Sequence, residues 1–515
     1  MFNFHIPGGN AADTVTYQFT GLDRRARVAD GACREMRNMC GDDAPCLSPR
    51  KGRRRLAEYQ AASLLLHKNG KAFVVDGTAV KYGGEVVGKV TAGRKRAVVM
   101  NDWVFLWPDK AAFNVATGEF RGMEARTGAI AVRFTGSTVT RKDGKAWPFQ
   151  VGDGVTVSGC AQEYNNRTAV VQAVDGSTLT FYDNVFQFGE LGSGENQETK
   201  SWEESAVTFA RTVPDLEFVC EKDNRLWGVY GSHICCCKLG DGFNWNVFNG
   251  LATDAFDVGV GSDGGFTGIA GFASYVLAFK EGCVHKIYGT KPANFTVNTS
   301  YISGVQEGCS ETLRVYNNAL YYLSREGVMA FGGGTPEPVG AQLNRGYARA
   351  AAGMHGAEYY LCGVGSDGAA EIVVYDTERG LWCREDETEA VGFSSDAGTL
   401  YLLDSEGQLW ECGTADPVEW EAAFGPFENV RAGKRIRSKL DLVLTAEKGA
   451  LLHVDVKNDG GGWRNAWSGA ARREDCTVRV PFLPVRGHEF SVRLRGKGDV
   501  TLHAINLRTR EGSDR

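Results

Sequence analysis

The sequence predicts an all-β protein: a β-propeller of about seven blades with an inserted small β-barrel domain and a C-terminal β-sandwich. A hairpin signature recurs, because residues 319–328 and 399–408 align without a gap at an offset of 80. The hairpin glycines Gly282, Gly327, Gly368 and Gly407 are spaced 45, 41 and 39 apart. A repeat of this length, with strands and tight turns in each unit, is typical of propellers, whose blades are too small to bury their apolar faces alone.

Composition supports this class and excludes others. The 515 residues include 66 glycines but only 13 prolines, which suits many short strands joined by tight turns. A net charge of −6 provides no overall basic field for nucleic acid. No apolar run approaches 18 residues, and residues 1–9 lack the basic-then-apolar layout of a leader, so we expect neither a membrane span nor a signal peptide.

The first two segments are an N-terminal arm and the start of the propeller. Residues 1–55 are interpreted as an irregular, polar arm that packs along the body or a neighbour. The arm ends in a basic run, Lys51 and Arg53 to Arg55, whose simplest interpretation is a solvated loop. Residues 56–124 begin the propeller, since Asn69-Gly70 and Pro108-Asp109 mark hairpins about forty residues apart.

The period breaks in residues 125–205, which predict the inserted β-barrel domain. Short strand patterns occur at 129–134, 153–158 and 168–174, and Asp175-Gly176 marks a hairpin. Insertion at an exposed loop tip is the tolerated place for such a domain. The polar, Gly-rich stretch 189–200 is its predicted return linker.

Residues 206–415 carry the remaining blades, and residues 416–515 form the predicted β-sandwich. Hairpins at 70, 109, 231, 282, 327, 368 and 407 give the count of about seven. Within 206–415, Cys235, Cys236 and Cys237 occupy one strand, so their side chains alternate between its faces. After 415 the period stops, and 435–444, 490–495 and 500–505 alternate charged with apolar residues, which indicates one buried and one wet face.

A second repeated element is a polar turn between aromatic residues. Residues 375–382 and 113–120 each place Asp376 or Asn114 after an aromatic residue and close the turn with Gly380 or Gly118. Asp and Asn can accept hydrogen bonds from the backbone of their own turn, and glycine supplies a positive φ.

The sequence nominates no catalytic, cofactor-binding or metal-binding residue. Nucleotide-loop, serine-hydrolase, zinc-protease and EF-hand patterns are absent from the sequence. The fourteen cysteines are expected to be mostly reduced thiols. Cys33, Cys40 and Cys46 could ligate a metal, but with no CxxC pair or nearby histidine, free thiols are the favoured interpretation. The eight histidines are dispersed, and we interpret them as surface or packed strand residues.

Two patterns carry weaker functional alternatives. Residues 394–401 resemble an Asp box, the structural turn of sialidase-like propellers, in which an aspartate such as Asp396 bonds the hairpin backbone. A glycosidase would also need convergent carboxylates, which one sequence cannot display. The basic triplets 53–55 and 94–96 could touch phosphates, but solvated turns are favoured, and the negative net charge favours transient DNA contact over tight binding.

Several stretches resemble a family of virion proteins: the β-propeller tail-associated proteins of tailed phages, of the head–tail stabilisation or tail nozzle and tubular type. The stretches that carry the resemblance span almost the whole chain and are residues 30–38, 211–215, 224–228, 239–245, 279–289, 320–328 and 511–514. They are structural motifs and carry no catalytic signature.

The resemblance implies a non-enzymatic structural protein of the virion, assembled in the host bacterial cytoplasm. It implies a homo-oligomeric ring at the tail or head–tail junction, with other tail, adaptor or portal proteins as partners, and transient contact with genomic DNA. Trp463 and Trp467 are candidates for ring contacts, with a sandwich core as the equal alternative. Two other functions stay open: a carbohydrate-binding propeller that recognises the host surface, and a propeller glycosidase.

Overall fold

The computed structural model describes residues 11–182, 185–190, 195–427, 434–471 and 474–511. Its regular structure is all β apart from 3-10 turns at Glu163–Asn165, Pro292–Asn294, Ser310–Thr312 and Ala341–Leu343. Within these ranges no helix is long and apolar enough to cross a membrane. Three segments interpreted from the sequence lie wholly or partly outside the described residues. They are residues 1–9, from which no signal peptide is expected, residues 191–194 of the predicted linker, and residues 512–514 of the last stretch that resembles the phage proteins.

The chain divides into two compact units, one of residues up to 71 together with 311 onward, and one of residues 72–310. The first unit begins with β1 (Ala11–Thr16), β2 (Cys33–Arg37), β3 (Met39–Cys40), β4 (Ser48–Pro49), β5 (Gly52–Glu58) and β6 (Ala62–Lys68).

The second unit opens with two antiparallel meanders, in which each strand pairs with the next along the chain. Their strands are β7 (Lys71–Asp76), β8 (Ala79–Tyr82) and β9 (Glu85–Lys89), then β10 (Arg96–Met100), β11 (Trp103–Trp107), β12 (Ala111–Asn114) and β13 (Phe120–Gly122). Phe113 of β12 contacts both Phe73 of β7 and Tyr82 of β8, so these meanders pack through their aromatic faces.

A separate seven-stranded sheet follows in the chain. Its strands are β14 (Ala125–Arg126), β15 (Ile130–Thr135), β16 (Thr138–Arg141), β17 (Gly154–Ser158), β18 (Thr168–Asp175), β19 (Thr178–Phe181) and β20 (Ser201–Arg211). β17 pairs with both β18 and β20, so six of the strands close on themselves. The interior holds Phe134, Trp147, Phe181, Phe186 and Phe209. Closure leaves these six strands without free edges and accounts for a small, separate apolar core.

Two more four-stranded meanders complete the second unit. The first is β21 (Phe218–Lys222), β22 (Arg225–Tyr230), β23 (His233–Cys236) and β24 (Phe256–Gly259); the second is β25 (Gly268–Phe272), β26 (Tyr275–Lys280), β27 (Cys283–Tyr288) and β28 (Thr296–Ser300). Leu226 and Cys235 pack toward the β10–β13 sheet, whereas Trp227 and Cys236 pack toward the β25–β28 sheet. The alternation predicted for the cysteine run is therefore confirmed, and it buries both faces of the intervening sheet.

The first unit contains three comparable sheets. They comprise β29 (Arg314–Tyr316), β30 (Ala319–Ser324), β31 (Gly327–Phe331) and β32 (Glu337–Pro338); β33 (Arg349–His355), β34 (Glu358–Val364), β35 (Ala370–Asp376) and β36 (Leu381–Arg384); and β37 (Ala390–Asp396), β38 (Thr399–Asp404) and β39 (Gln408–Thr414) with β5. The last sheet takes its fourth strand from the N-terminal part of the chain, where Ala57 of β5 lies opposite Leu409 of β39. Repeated four-stranded antiparallel meanders of this kind are the building unit of propellers.

Two five-stranded sheets form the rest of the first unit. Their strands are β40 (Glu419–Phe424), β41 (Arg435–Ala446), β42 (Leu451–Asn458), β43 (Arg464–Ala470), β44 (Asp475–Val480), β45 (Val485–Gly487), β46 (Phe490–Lys497) and β47 (Val500–Glu511), together with β1 and β2. One sheet has the order β1-β47-β41-β44, with β45 beside β41, and the other the order β2-β40-β46-β42-β43. Leu444 and Leu502 of one sheet and Leu452 and Leu494 of the other line the same small apolar cavity, so the sheets pack face to face.

The sequence predicts an irregular arm for residues 1–55; the described part does pack along the rest of the chain, but it does so as regular strands, so the prediction of irregular structure is wrong. Strands β1 and β2 are edge strands of the two C-terminal sheets, and the basic run predicted as a solvated loop forms β5. The error has a physical reason: the partner strands lie more than 350 residues away in sequence, so local composition carries no sign of them. By contrast, Asn114 and Asp376 do accept backbone hydrogen bonds within their turns, and Gly118 and Gly380 do have positive φ, as predicted.

Candidate functional site

A polar cavity of about 380 Å³ lies within the first unit. The loop around β3 and β4 lines one side, and the strand ends of the β33–β36 and β37–β39 sheets line the other. Carboxyl, thiol and cationic side chains face it, including Glu358, Asp376, Glu385, Cys412 and Arg50. Titratable groups in a cleft are the usual place for chemistry, provided that structural contacts do not already occupy them.

Glu358 is the carboxyl group of the cavity with the most perturbed acidity. It lies at the start of β34, directly opposite Asp376 of β35, and its Oε2 accepts a 2.8 Å hydrogen bond from the Tyr360 hydroxyl. Burial raises the pKa of Glu358 to about 7, against the lowering effect of the Tyr360 hydrogen bond, and nearby carboxylates add to the rise. A carboxylic acid that titrates near neutral pH is suited to general acid–base work.

Asp376, the carboxylate opposite Glu358, is committed to structure. Its Oδ1 accepts the backbone N–H groups of Glu378 at 3.0 Å and Arg379 at 2.9 Å. Its Oδ2 accepts the Arg379 guanidinium at 2.6 Å. Because both oxygens hold a turn, Asp376 is not placed to serve as the nucleophile or base of a carboxylate pair.

Two further carboxylates hold β5 in place. Asp386 Oδ2 lies 2.9 Å from Arg50 and 3.2 Å from Arg53, and Glu385 pairs with the same two arginines. The side chains of Arg50 and Arg53 are only 10% and 8% exposed. Burial opposes ionisation of Asp386, but the two arginines outweigh it and lower its pKa. This cluster ties the N-terminal strand to the neighbouring sheet.

A second buried cluster is centred on Glu371 of β35, whose side chain is 1% exposed. Arg24 donates to its two oxygens at 2.9 and 2.7 Å, Arg384 donates at 2.9 Å, and the Tyr347 hydroxyl donates at 2.8 Å. Burial raises the pKa of Glu371, but the arginine and tyrosine interactions outweigh that effect and lower it to about 2. Arg24 belongs to the segment between β1 and β2, so this cluster is another attachment of the N-terminal chain.

The cysteines and histidines considered from the sequence do not converge on a metal site. Among the described residues, no group of three or more His, Cys, Asp or Glu side chains could hold a metal ion. Cys33 is buried, and Cys46 Sγ lies 3.2 Å from His503 Nδ1, whose Nε2 lies 2.7 Å from Thr445 Oγ1. Sequence reasoning missed this Cys46–His503 contact, because the two residues are 457 positions apart.

Three residues of the basic triplets, Arg53, Lys95 and Arg96, are engaged within the protein, whereas Arg54, Arg55 and Arg94 are exposed. Lys95 is 1% exposed in its side chain and pairs with Asp109, and Arg96 donates to Ser310 and covers the Phe218 ring at 4.2 Å. Arg53 is buried in the cluster with Glu385 and Asp386. The interpretation of these residues as solvated turns is therefore wrong for Lys95 and Arg53, which neutralise buried carboxylates.

The Asp-box pattern is displaced by one hairpin. Ala397 and Gly398, with φ of 46° and 77°, form the tight turn after Asp396. The bonding expected of Asp396 is instead made by Asp404, which accepts backbone N–H groups from Glu406 and Gln408 and the Trp410 indole at 2.7 Å. The structural role that the pattern indicated for Asp396 therefore belongs to Asp404, in the next turn of the same sheet.

No protein-family model and no curated protein match the chain. Among solved structures, the computationally designed Ika8 protein is similar at 12% identity and a TM-score of 0.36, over 70% of this chain and 98% of that one. An exo-β-1,3-galactanase from Phanerochaete chrysosporium matches at 9% identity and a TM-score of 0.22, over 56% and 94%. A Trypanosoma rangeli sialidase matches at 10% identity and a TM-score of 0.24, over 98% and 96%.

Proposed function

We propose that this protein is a structural component of a phage virion, a β-propeller of about seven blades with an inserted β-barrel and a C-terminal β-sandwich. In this proposal it forms a homo-oligomeric ring at the tail or head–tail junction and contacts adaptor, portal or other tail proteins. One observation carries the proposal beyond the sequence resemblance. The N-terminal chain is incorporated into three sheets of the first unit and anchored by two buried arginine–carboxylate clusters.

That arrangement favours a load-bearing role over a catalytic one. Strand β5 covers the edge of β39, and β1 and β2 are paired along β47 and β40, so the N-terminal chain is held along its length. In the cavity, Asp376, Glu385 and Glu411 each hold an arginine and are occupied with structure. A rigid body whose carboxylates are internally neutralised suits a ring subunit, which must present the same surfaces to each neighbour.

Quantitative peptide mass spectrometry on purified particles of the source phage or induced prophage tests the proposal. We expect this chain at a fixed low copy number, close to that of the portal or tail ring proteins. Absence from the particle, with soluble protein remaining in the lysate, would overturn it. Particles assembled with an Arg53→Gln variant provide a structural readout, because loosening β5 should lower incorporation, whereas the neighbouring exposed Arg54→Gln should incorporate normally.

A second candidate function is polysaccharide hydrolysis, and Glu358 is the observation that favours it. Its raised pKa and its position on the cavity wall fit a general acid. If the protein is a hydrolase of this kind, Glu358→Gln abolishes reducing-sugar release from host polysaccharide while the exposed control Glu378→Gln keeps it. No release from the wild-type protein across a panel of host polysaccharides would eliminate the candidate.

A further inference from the structure

The outer face of the β2-β40-β46-β42-β43 sheet carries a row of polar residues that runs across all five strands. Arg37 lies opposite Glu421, Glu421 opposite Arg495, Arg495 opposite His453, and His453 opposite Ser468. Directly opposed residues share one face of a sheet. The residues that alternate with them, such as Ala422, Leu494 and Val454, are buried, so the polar row faces outward.

This row lies in a depression of about 310 Å³. Glu419, Lys497 and Leu451 line it beside Arg37, Glu421, Arg495 and His453, and the buried Trp420 also contributes to its lining. Leu451 is 47% exposed and provides an apolar patch within an otherwise polar surface. A volume near 300 Å³ is at the lower end of small-ligand sites and would hold one or two sugar rings.

The neighbouring row on the same face is already satisfied. Asp455, whose side chain is 2% exposed, accepts hydrogen bonds from Arg493 at 2.8 Å, Arg495 at 2.9 Å and Asn465 at 3.1 Å. Burial raises the pKa of Asp455, but these bonds outweigh it and lower the pKa. The guanidinium of Arg493 also covers the ring of the half-buried Trp463 at 4.8 Å, so that tryptophan is partly occupied by this network.

The depression differs, because several of its polar groups keep unused bonding capacity among the described residues. Arg495 contacts Asp455 through Nε and Nη2, so its Nη1 is not used in that contact. His453 uses Nδ1 on Ser468, which leaves Nε2. The exposed Lys497 and Glu419 face each other across β46 and β40, yet no ion pair joins them in the described part of the chain.

The mixture of charges selects the chemistry of the ligand. Three cations, Arg37, Arg495 and Lys497, and two carboxylates, Glu419 and Glu421, line the depression. Residues outside it pair with three of these five: Glu387 with Arg37 at 3.6 Å, Asp455 with Arg495 at 2.9 Å, and Arg493 with Glu421 at 3.9 Å. A bare inorganic anion would meet the carboxylates, whereas sugar hydroxyls both donate to carboxylates and accept from cations. A carboxylate on the sugar can accept hydrogen bonds from Lys497, for which the described residues provide no ion-pair partner, and the C–H face of the ring can pack on Leu451.

We propose that this depression binds an acidic oligosaccharide. In that arrangement Lys497 and Arg495 Nη1 donate to a sugar carboxylate, while Glu419 and Glu421 accept from hydroxyl groups. The site is on the C-terminal sandwich and does not depend on a ring or on the Glu358 cavity, so its test is independent of the proposed virion function.

Isothermal titration calorimetry of the full chain at 20 mM salt tests this, with trigalacturonate as the acidic probe and maltotriose as the uncharged one. We expect measurable binding of trigalacturonate that weakens at higher salt, and a Lys497→Gln variant that binds about tenfold more weakly, as loss of one charge-assisted hydrogen bond implies. Lys457→Gln, on the same face but outside the depression, is the matched control and should bind as the wild type does.

Both lysine variants are expected to fold as the wild type does, because each removes the charge of an exposed or half-buried side chain. Near-UV circular dichroism checks that their tertiary structure is unchanged. His453→Gln supplies a second, independent perturbation inside the depression and should also weaken binding. The proposal is overturned if trigalacturonate does not bind, if maltotriose binds as tightly, or if Lys497→Gln leaves the affinity unchanged. If this face of the sheet instead binds a protein partner and no sugar, trigalacturonate will not bind.

Discussion

Replacing Glu371 by glutamine removes the charge at the centre of the Arg24, Arg345 and Arg384 cluster. The side chain is 1% exposed, and its pKa falls from 4.5 to about 2 in the folded protein. That lowering of the pKa corresponds to roughly 3 kcal/mol of stability at neutral pH, since one pKa unit is worth about 1.4 kcal/mol. Removing one partner of a buried ion pair typically lowers the free energy of unfolding by about 3–5 kcal/mol, so the two magnitudes agree.

The sign of the pH dependence follows from the lowered pKa. Because Glu371 is more acidic in the folded state, its contribution is complete above the unfolded-state pKa and declines as pH falls through about 5 toward about 2. Between pH 7 and pH 3, about 2 of these roughly 3 kcal/mol of stabilisation should be lost. The stability gap between wild type and Glu371→Gln should therefore narrow by about that amount.

Urea unfolding of both proteins at pH 7 and pH 3, followed by tryptophan fluorescence, measures this gap. Glu378→Gln, an exposed carboxylate after the same strand, is the control and should match wild type at both pH values. The reasoning is refuted if Glu371→Gln unfolds within about 0.5 kcal/mol of wild type at pH 7, the range of ordinary surface substitutions. A gap of equal size at both pH values would also refute it.

Three other substitutions test separate parts of the structure. Arg53→Gln should lower the free energy of unfolding by about 3 kcal/mol in urea titrations, because it leaves Arg50 as the one remaining arginine beside the buried Glu385 and Asp386, while the exposed Arg54→Gln should leave it unchanged. Glu358→Gln should act in the opposite direction. The folded pKa of Glu358 is about 7, above the usual 4.5, so the cost of ionising it in the folded protein builds up between about pH 4.5 and pH 7 and is complete above that range. The variant should therefore be about 2 kcal/mol more stable than wild type at pH 8.5 but equal to it at about pH 4. Gly407→Ala should cost about 3 kcal/mol by thermal or urea unfolding, because the new Cβ meets a backbone carbonyl oxygen at φ +85°, whereas Gly368→Ala, at φ +79° in open space, should cost only about 1 kcal/mol. Equal losses within either matched pair, or a destabilised Glu358→Gln at pH 8.5, would contradict these expectations.

Local patterns predicted the parts of the fold that local physics determines. Period-2 alternation and tight-turn residues identified the β class and the turns at Asn114 and Asp376. The alternation around Cys235 and Cys236 also follows from strand geometry alone. These features depend on residues within about ten positions of each other, so one sequence contains the necessary information.

The features that sequence reasoning missed all join residues far apart in the chain. The local sequence of β5 indicates a solvated basic run, because its partners are distant in the chain. These partners are β39 and the carboxylates Glu385 and Asp386, which follow β36. Glu371 and Arg24 are 347 residues apart, and nothing near either one indicates the other. The same holds for the candidate sites: the perturbed acidity of Glu358 comes from burial, and the polar row on the C-terminal sheet includes Arg37 from the opposite end of the sequence.

Pairing β5 with β39 has a consequence for synthesis in the cell. The N-terminal strand leaves the ribosome first, and its partner follows about 350 residues later. At roughly 5–20 residues per second, β5 waits for about 20 to 70 seconds before its pairing edge exists. During that interval its three arginines carry unpaired positive charge, which keeps the strand soluble and discourages pairing with another nascent chain. Arg53, which is buried and anchors β5 in the folded protein, is thus also one of the charges that protect the nascent chain.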